Sequence, residues 1–147
     1  MRYSQAKSGR IFVLRLEHEE ILHETIERFA QEQHIERAVV WALGGADHGS
    51  QLVVGPENGE KQPFIPLKTS LLGTHEAFGV GTIFPDSETG APILHMHMSC
   101  GRTGHSITGC VRAGVKVWHV MEVVIQELVE NTATRVLDYT GFKLLTP

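Results

Sequence analysis

Two histidines on one short alternating segment, residues 92–100, are the side chains best suited to carry chemistry. Apolar and polar residues alternate along the segment with the period of a β-strand, which places His95 and His97 on one face. The two side chains would lie about 6 to 7 Å apart along the strand, so both imidazoles can reach one ion. Because a His-x-His strand is a recurrent half of a zinc site, the segment predicts metal binding.

The next segment supplies a third donor. Residues 101–105 are typical of a hairpin turn, and the strand that returns from it carries Thr108 and Cys110 on its polar face. Directly opposed residues share a face of a sheet, so burial favours the registers that pair His97 with Cys110 or with Thr108. His95, His97 and Cys110 then line one patch, an N/S set suited to zinc with one position open for water. His105, at the turn, is a rival third ligand.

Other sequence signals bear on the reaction class. Glu76 lies between two predicted strands and could supply a further ligand or a general base, because a carboxylate beside a metal can accept a proton. The sequence has no phosphate-cradling loop and no nucleophile elbow, so nucleotide-driven work and serine hydrolysis are unsupported. Residues 79–82 (Gly-Val-Gly-Thr) lie within a predicted strand and indicate close backbone approach rather than phosphate binding.

Length and composition indicate the class of protein that carries these residues. The 147 residues predict one domain that spans residues 1–147. A net charge of −4 argues against a large basic surface that follows nucleic-acid phosphates. With only Cys100 and Cys110 and no secretory leader, the expected compartment is the reduced cytoplasm. No apolar run approaches the roughly 20 residues that cross a membrane, so no membrane partner is expected.

The elements that must position the histidines follow from hydrophobic periodicity. Apolar residues recur at helical spacing over residues 19–33, which predicts the main helix. Strand patterns occupy residues 10–16, 37–43, 51–54, 67–74, 78–84, 93–100, 106–111 and 117–128. Residues 121–130 also fit a helix. One helix among many strands predicts the α+β class.

Taken together, these residues resemble the plant and prokaryote conserved domain, also called the PPC, DUF296 or PD1-like domain. The resemblance runs from Gly9 to about Leu128. It is carried by Arg28-Phe29-Ala30, Ala38-Val39-Val40, Leu43-Gly44, Leu94-His95-Met96-His97, Gly101-Arg102, Thr108-Gly109 and Glu122-Val123-Val124-Ile125. It implies a mixed, strongly curled β-sheet packed around one main helix, and assembly as a homotrimer. Some prokaryotic members bind a metal through the His-x-His strand and a residue on the next strand.

The sequence differs from the common family pattern in three places. Where many members have Gly-Gly-His, this chain has Thr108-Gly109-Cys110, so the third ligand would be a thiolate. Where plant members carry Gly-Arg-Phe-Glu-Ile-Leu for protein contacts, residues 73–78 keep only Gly73 and Glu76. Plant members also reach DNA through an added Arg-Gly-Arg-Pro segment, which this sequence lacks.

Three functional hypotheses follow. The first is a trimeric protein that binds zinc, or another divalent transition metal, through His95, His97 and Cys110 and has a ligand-binding or regulatory role. The second is a metal-dependent lyase or hydrolase in which Glu76 moves protons. It rests on similarity of fold to acetolactate decarboxylase, whose zinc is held by a His-x-His pair and a further His. The third is a DNA-associated module, in which a trimer would gather Arg102, Arg112 and Lys116 into one positive patch.

Overall fold

One α-helix, one short 3-10 helix and ten strands make up the regular structure, and the computed structural model describes all residues from 1 to 147. In chain order the elements are β1 (Lys7–Glu17), α1 (Leu22–Glu32), β2 (Ala38–Ala46), β3 (Gln51–Pro56), β4 (Pro66–Ser70), β5 (His75–Pro85), β6 (Pro92–Arg102), β7 (His105–Cys110), a short 3-10 helix (Val111–Ala113), β8 (Val117–Val129), β9 (Thr134–Leu137) and β10 (Lys143–Thr146). The predicted α+β class is confirmed. The structure contains no helix with the length and hydropathy that a membrane crossing requires.

Eight strands form one open sheet in the order β1-β8-β2-β5-β6-β7-β3-β4, and β9 and β10 form a separate hairpin. The predicted mixed sheet is wrong, because every pair of neighbouring strands in these sheets is antiparallel. Parallel neighbours need a long crossover connection, usually a helix. The only α-helical connection, α1, joins β1 to β2, and β8 lies between these two strands in the sheet.

Two helix predictions differ from the structure. The helix expected at residues 19–33 is shortened to Leu22–Glu32, because Ile21 forms a bridge with Lys116 just before it. The helical alternative for residues 121–130 is wrong, since this segment belongs to β8 between β1 and β2. Met121, Val123 and Ile125 are fully buried at the strand period of two, which fits a sheet with one face on the core.

The core lies between α1 and one face of the sheet. The helix buries Leu22, Ile26 and Ala30, and β6 buries Met96 and Met98 in the same apolar cluster. The Glu27 side chain of α1 also accepts a hydrogen bond of 2.8 Å from the backbone N–H of Leu94 on β6. Because side chains alternate along a strand, this packing turns His95 and His97 to the face opposite the helix, where both are exposed.

Two glycines on β5 let this strand lie close to β6. A Cβ at Gly81 would lie 2.6 Å from the Cβ of Met96, and a Cβ at Gly79 would lie 2.7 Å from the carbonyl oxygen of His97. Any larger residue would push the histidine strand out of place. The prediction of close backbone approach in this segment is therefore confirmed.

Candidate metal centre

The ladder between β6 and β7 brings the expected donors into one row. His97 lies directly opposite Cys110, one of the two registers that the sequence favours, and Thr108 lies opposite Ser99. On the other side of β6, Val80 lies opposite His97 and Thr82 lies opposite His95. His95, His97 and Cys110 therefore share the sheet face that points away from α1.

The three donors lie at distances that suit a small metal ion. The Nε2 atoms of His95 and His97 are 3.2 Å apart, and the ligand atoms of these two residues and Cys110 all lie within 4.8 Å of one another. Tetrahedral zinc with ordinary bond lengths needs about 3.3 Å between two nitrogens and about 3.6 Å between nitrogen and sulfur. The set thus fits zinc after a shift of about 1 Å, and it leaves one coordination position open.

Protonation distinguishes His95 from Cys100, the second cysteine. Part of the His95 side chain faces solvent, yet burial lowers the pKa of His95 to about 4, and the charges of Arg135, His97 and Arg112 act in the same direction. The ring is therefore neutral near pH 7, which is the form that binds metals. On the core face, burial raises the pKa of Cys100 to about 11 and keeps it an inert thiol. Cys110 is half-buried on the histidine face.

The donors form part of the wall of a cavity of about 870 Å³. Apolar side chains from the β3–β4 region and from the β9–β10 hairpin, including Phe64 and Phe142, make up much of the rest. The rings of Phe64 and Phe142 are stacked, with centroids 5.7 Å apart. The volume falls within the range of small-molecule sites, so the candidate metal centre opens into a space that a ligand can occupy.

Arg135 on β9 is a residue of this cavity that the sequence interpretation misses. It is only 3% exposed, and its Nη2 donates a 3.0 Å hydrogen bond to Oγ1 of Thr82, the residue opposite His95. The strand-like runs at Thr134–Leu137 and Lys143–Thr146, separated by a turn that contains Gly141, were a usable signal for a hairpin. No local signal showed that this hairpin would pack beside β5.

The structure does not bring Glu76 or His105 to the three donors. Glu76 lies opposite Gly101, and His105 lies opposite Arg102, both at the far end of β6. Glu76 lies four positions along β5 from Val80, the residue opposite His97, a distance of about 13 Å along the strand. Glu76 and His105 instead line a second, more polar cavity of about 630 Å³.

Comparison with known proteins identifies the family. The sequence matches the Plants and Prokaryotes Conserved domain over residues 3–129. The chain belongs to this family. The match includes the His-x-His strand and Cys110 and ends before β9, so Arg135 and Phe142 lie beyond the matched residues of this family member. No curated protein matches the sequence.

Solved structures with the same fold come from archaea and bacteria. A plant- and prokaryote-conserved protein from Pyrococcus horikoshii has a TM-score of 0.85 and 23% identity over 100% of this chain and 98% of its own. A metal-containing protein from Archaeoglobus fulgidus has a TM-score of 0.84 and 25% identity over 100% of both chains. A candidate DNA-binding protein from Ralstonia eutropha has a TM-score of 0.71 and 19% identity over 92% of this chain and 90% of its own.

Proposed function

We propose that this family member binds zinc, or another divalent transition metal, through His95, His97 and Cys110, and that it binds a small molecule in the adjoining cavity. The observation that carries the proposal is the convergence of three donor atoms within 4.8 Å on the wall of an 870 Å³ cavity. The similar protein from Archaeoglobus fulgidus is described as containing a metal. We place the protein in the reduced cytoplasm, where Cys110 stays available as a thiolate ligand.

Each residue of the proposed site has a definite task. His95 and His97 offer neutral imidazoles, and Cys110 offers sulfur, whose charge as a thiolate would offset part of the charge of a divalent ion. When bound, zinc supplies a Lewis acid with an open coordination position. The apolar wall that includes Phe64 and Phe142 would shield a ligand from water, and Arg135 would place a positive charge beside it.

Binding or regulation is favoured over the lyase or hydrolase alternative. A lyase or hydrolase needs a group that moves protons beside the metal, and Glu76 was the candidate. Glu76 lines the other cavity, and no Asp or Glu lines the cavity of the three donors. The geometry therefore supports ligand binding more directly than it supports catalysis.

Metal content per chain tests the proposal. We expect purified wild-type protein to hold nearly stoichiometric zinc by elemental analysis, and we expect His97→Ala and Cys110→Ser to lose most of it. His105→Ala is the matched control, because it removes an exposed histidine from the same hairpin and should leave the zinc content unchanged. Absence of zinc from the wild type after reconstitution would contradict the proposal, as would its retention in His97→Ala.

We also propose that the family member assembles as a homotrimer with a curled sheet, as the sequence resemblance implies. Support comes from apolar side chains that are exposed on the sheet face opposite α1, among them Ile11, Val13, Leu43 and Phe78. Val13 is 80% exposed, and a group of exposed apolar side chains on one face is typical of a protein–protein contact surface. Equilibrium sedimentation should give three times the mass of the 16.3 kDa chain.

Charge variants on that face sharpen the assembly test. Val13→Lys should give monomers, because a charge cannot be buried between copies without a partner. Leu72→Lys alters a residue of similar exposure between β4 and β5 and is the control. A wild-type protein that sediments as a monomer at all concentrations would overturn the homotrimer.

DNA association is a second candidate, favoured by the similar protein from Ralstonia eutropha, which is described as a candidate DNA-binding protein. The cations that a DNA patch would need are scattered, since Lys116 pairs with Asp47 at 3.1 Å and Arg102 lines the second cavity. Retention on DNA at low salt that falls steeply as salt rises would support this candidate. No retention at low salt would exclude it.

A further inference from the structure

Arg135 carries a buried charge that no carboxylate neutralises. Its side chain is almost fully enclosed, and none of the ion pairs in the structure includes it. Its Nη2 donates to Oγ1 and, at 3.4 Å, to the carbonyl oxygen of Thr82, whereas its buried Nε has no acceptor. The guanidinium also lies 5.8 Å from the ring centroid of Phe84. A buried charge that lacks a counter-ion costs stability, so its position calls for another explanation.

Apart from the Cys110 sulfur, the charged side chains around the 870 Å³ cavity are all cationic. Three cationic residues line it, and no Asp or Glu does. Lys143 is neutralised by Asp86 behind the wall, whereas Arg112 and Arg135 form no ion pair. In a chain with a net charge of −4, two unpaired guanidinium groups at one cavity form a local positive site.

We propose that this cavity binds a small organic anion, with its carboxylate or phosphate held by Arg135 and its apolar body packed against Phe64 and Phe142. The inference rests on the small-molecule role proposed above and names the class of ligand. A planar guanidinium donates paired hydrogen bonds that match a carboxylate or a phosphate. Such an anion would occupy the free donor positions of Arg135 and balance its charge.

The shape of the site favours a small molecule over DNA. Arg135 is 3% exposed, at the wall of a cavity, and a phosphate on a duplex backbone would have to enter that cavity to reach it. The stacked pair of Phe64 and Phe142 offers apolar contact to a flat or aliphatic group. The expected ligand is therefore a small molecule that combines one oxyanion with one apolar group.

A set of matched probes tests the proposal. Benzoate presents a carboxylate and phenyl phosphate presents a phosphate, each attached to a phenyl ring. Benzamide, which has the same ring and no charge, is the neutral control. Binding is followed by NMR titration at millimolar concentrations. In the wild type, we expect at least one anion to bind about tenfold or more tightly than benzamide. We expect Arg135→Met to lose this preference and Arg102→Met, at the other cavity, to keep it.

Stability measurements separate a binding role from a structural role. If Arg135 serves a ligand, Arg135→Met should unfold at the same or a higher temperature than the wild type without ligand, because it removes an unpaired buried charge. If Arg135→Met does not fold, Arg135→Lys replaces it in the titration. Lysine keeps the charge without the paired donors, so the preference for the anion should fall severalfold.

Anion binding and zinc binding are tested separately. The titrations are run on chelator-treated and on zinc-loaded protein, with zinc content measured in parallel. Equal binding of the anions and benzamide to the wild type would overturn the inference, as would full anion preference in Arg135→Met or in Arg135→Lys. Anion preference in a wild-type protein that takes up no zinc after reconstitution would leave the inference intact and overturn the metal proposal alone.

Discussion

The two ends of the β6–β7 hairpin carry similar residues but differ in what they can bind. At the C-terminal end of β7, Cys110 lies opposite His97 beside a partly apolar cavity. At the turn, His105 lies opposite Arg102, whose Nη1 donates to the carbonyl oxygen of Thr74 in an open polar cavity. From residue type alone, His105 and Cys110 were both candidates for the third metal ligand. The register of β6 and β7 places only Cys110 beside His97.

Desolvation differs between the two ends as well. The β9–β10 hairpin contributes Arg135 and Phe142 to the same cavity wall as His95. At the turn end, Trp118 is the single hydrophobic residue among those that line the polar cavity. Burial lowers the pKa of His95 to about 4. Ligand binding in a protein depends on partial exclusion of water, which strengthens charge interactions and raises the cost of an unpaired group.

The largest expected effect comes from the third ligand. Cys110→Ala should lower zinc affinity by about a hundredfold or more, since loss of even an outer hydrogen-bond partner of a metal ligand costs 10- to 100-fold. Cys110→His should retain zinc, because imidazole can replace the thiolate at the same row of the ladder. Competition with a chelator measures both affinities. Equal affinity in Cys110→Ala and the wild type would remove the distinction between the two ends.

The next effect concerns the packing that holds the histidine strand. Gly81→Ala should destabilise the protein by about 1–3 kcal/mol, because the added methyl meets the Cβ of Met96 and the carbonyl oxygen of His95. Gly59→Ala, whose added methyl meets no atom within 4 Å, is the control. Denaturant unfolding gives both values. A Gly81→Ala protein as stable as its control would show that β5 and β6 tolerate a wider spacing.

A smaller effect is expected from acid. The hydrogen bond from Lys143, followed by that from the Glu88 backbone, lowers the pKa of Asp86 below its ordinary value of 3.8. The stabilising contribution is therefore present above that value and is lost as the pH falls through the lower folded value. Hydrogen exchange should show β9 and β10 losing protection in that range before the main sheet does. Asp86→Asn should reproduce the loss at neutral pH, and unchanged protection in this variant would contradict the role of the ion pair.

The smallest effect is expected at the turn end. Glu76→Gln should leave both zinc content and anion binding unchanged within error, because Glu76 is about 13 Å along the strand from the proposed ligands. The same measurements that follow the Cys110 variants apply here. A clear loss of zinc in Glu76→Gln would mean that the two ends act together and would revive the hypothesis of a lyase or hydrolase.

The sequence predicted the local part of this arrangement well. Strict alternation over residues 92–100 was sufficient to place Met96 and Met98 in the core and both histidines on the other face. Opposed polar residues were sufficient to favour two registers, and the structure has the one that pairs His97 with Cys110. Both features depend on neighbouring strands joined by a tight turn, so short-range patterns contain the necessary information.

Long-range features were beyond the reach of the sequence. The mixed sheet was wrong because strand order depends on which distant strands meet, and β8 inserts between β1 and β2. Arg135 was missed because its role arises from the docking of β9 near Thr82, 53 residues earlier in the chain. The curl of the sheet and the trimer stay predictions.

X-ray absorption at the zinc edge of the purified wild-type protein tests the ligand set most directly. We predict a first shell with nitrogen at about 2.0–2.1 Å and one sulfur at about 2.3 Å, with the scattering pattern of two imidazoles. The sulfur contribution should disappear in Cys110→Ser and persist in Cys100→Ser. A shell of nitrogen and oxygen alone in the wild type would contradict the assignment of Cys110 as the third ligand.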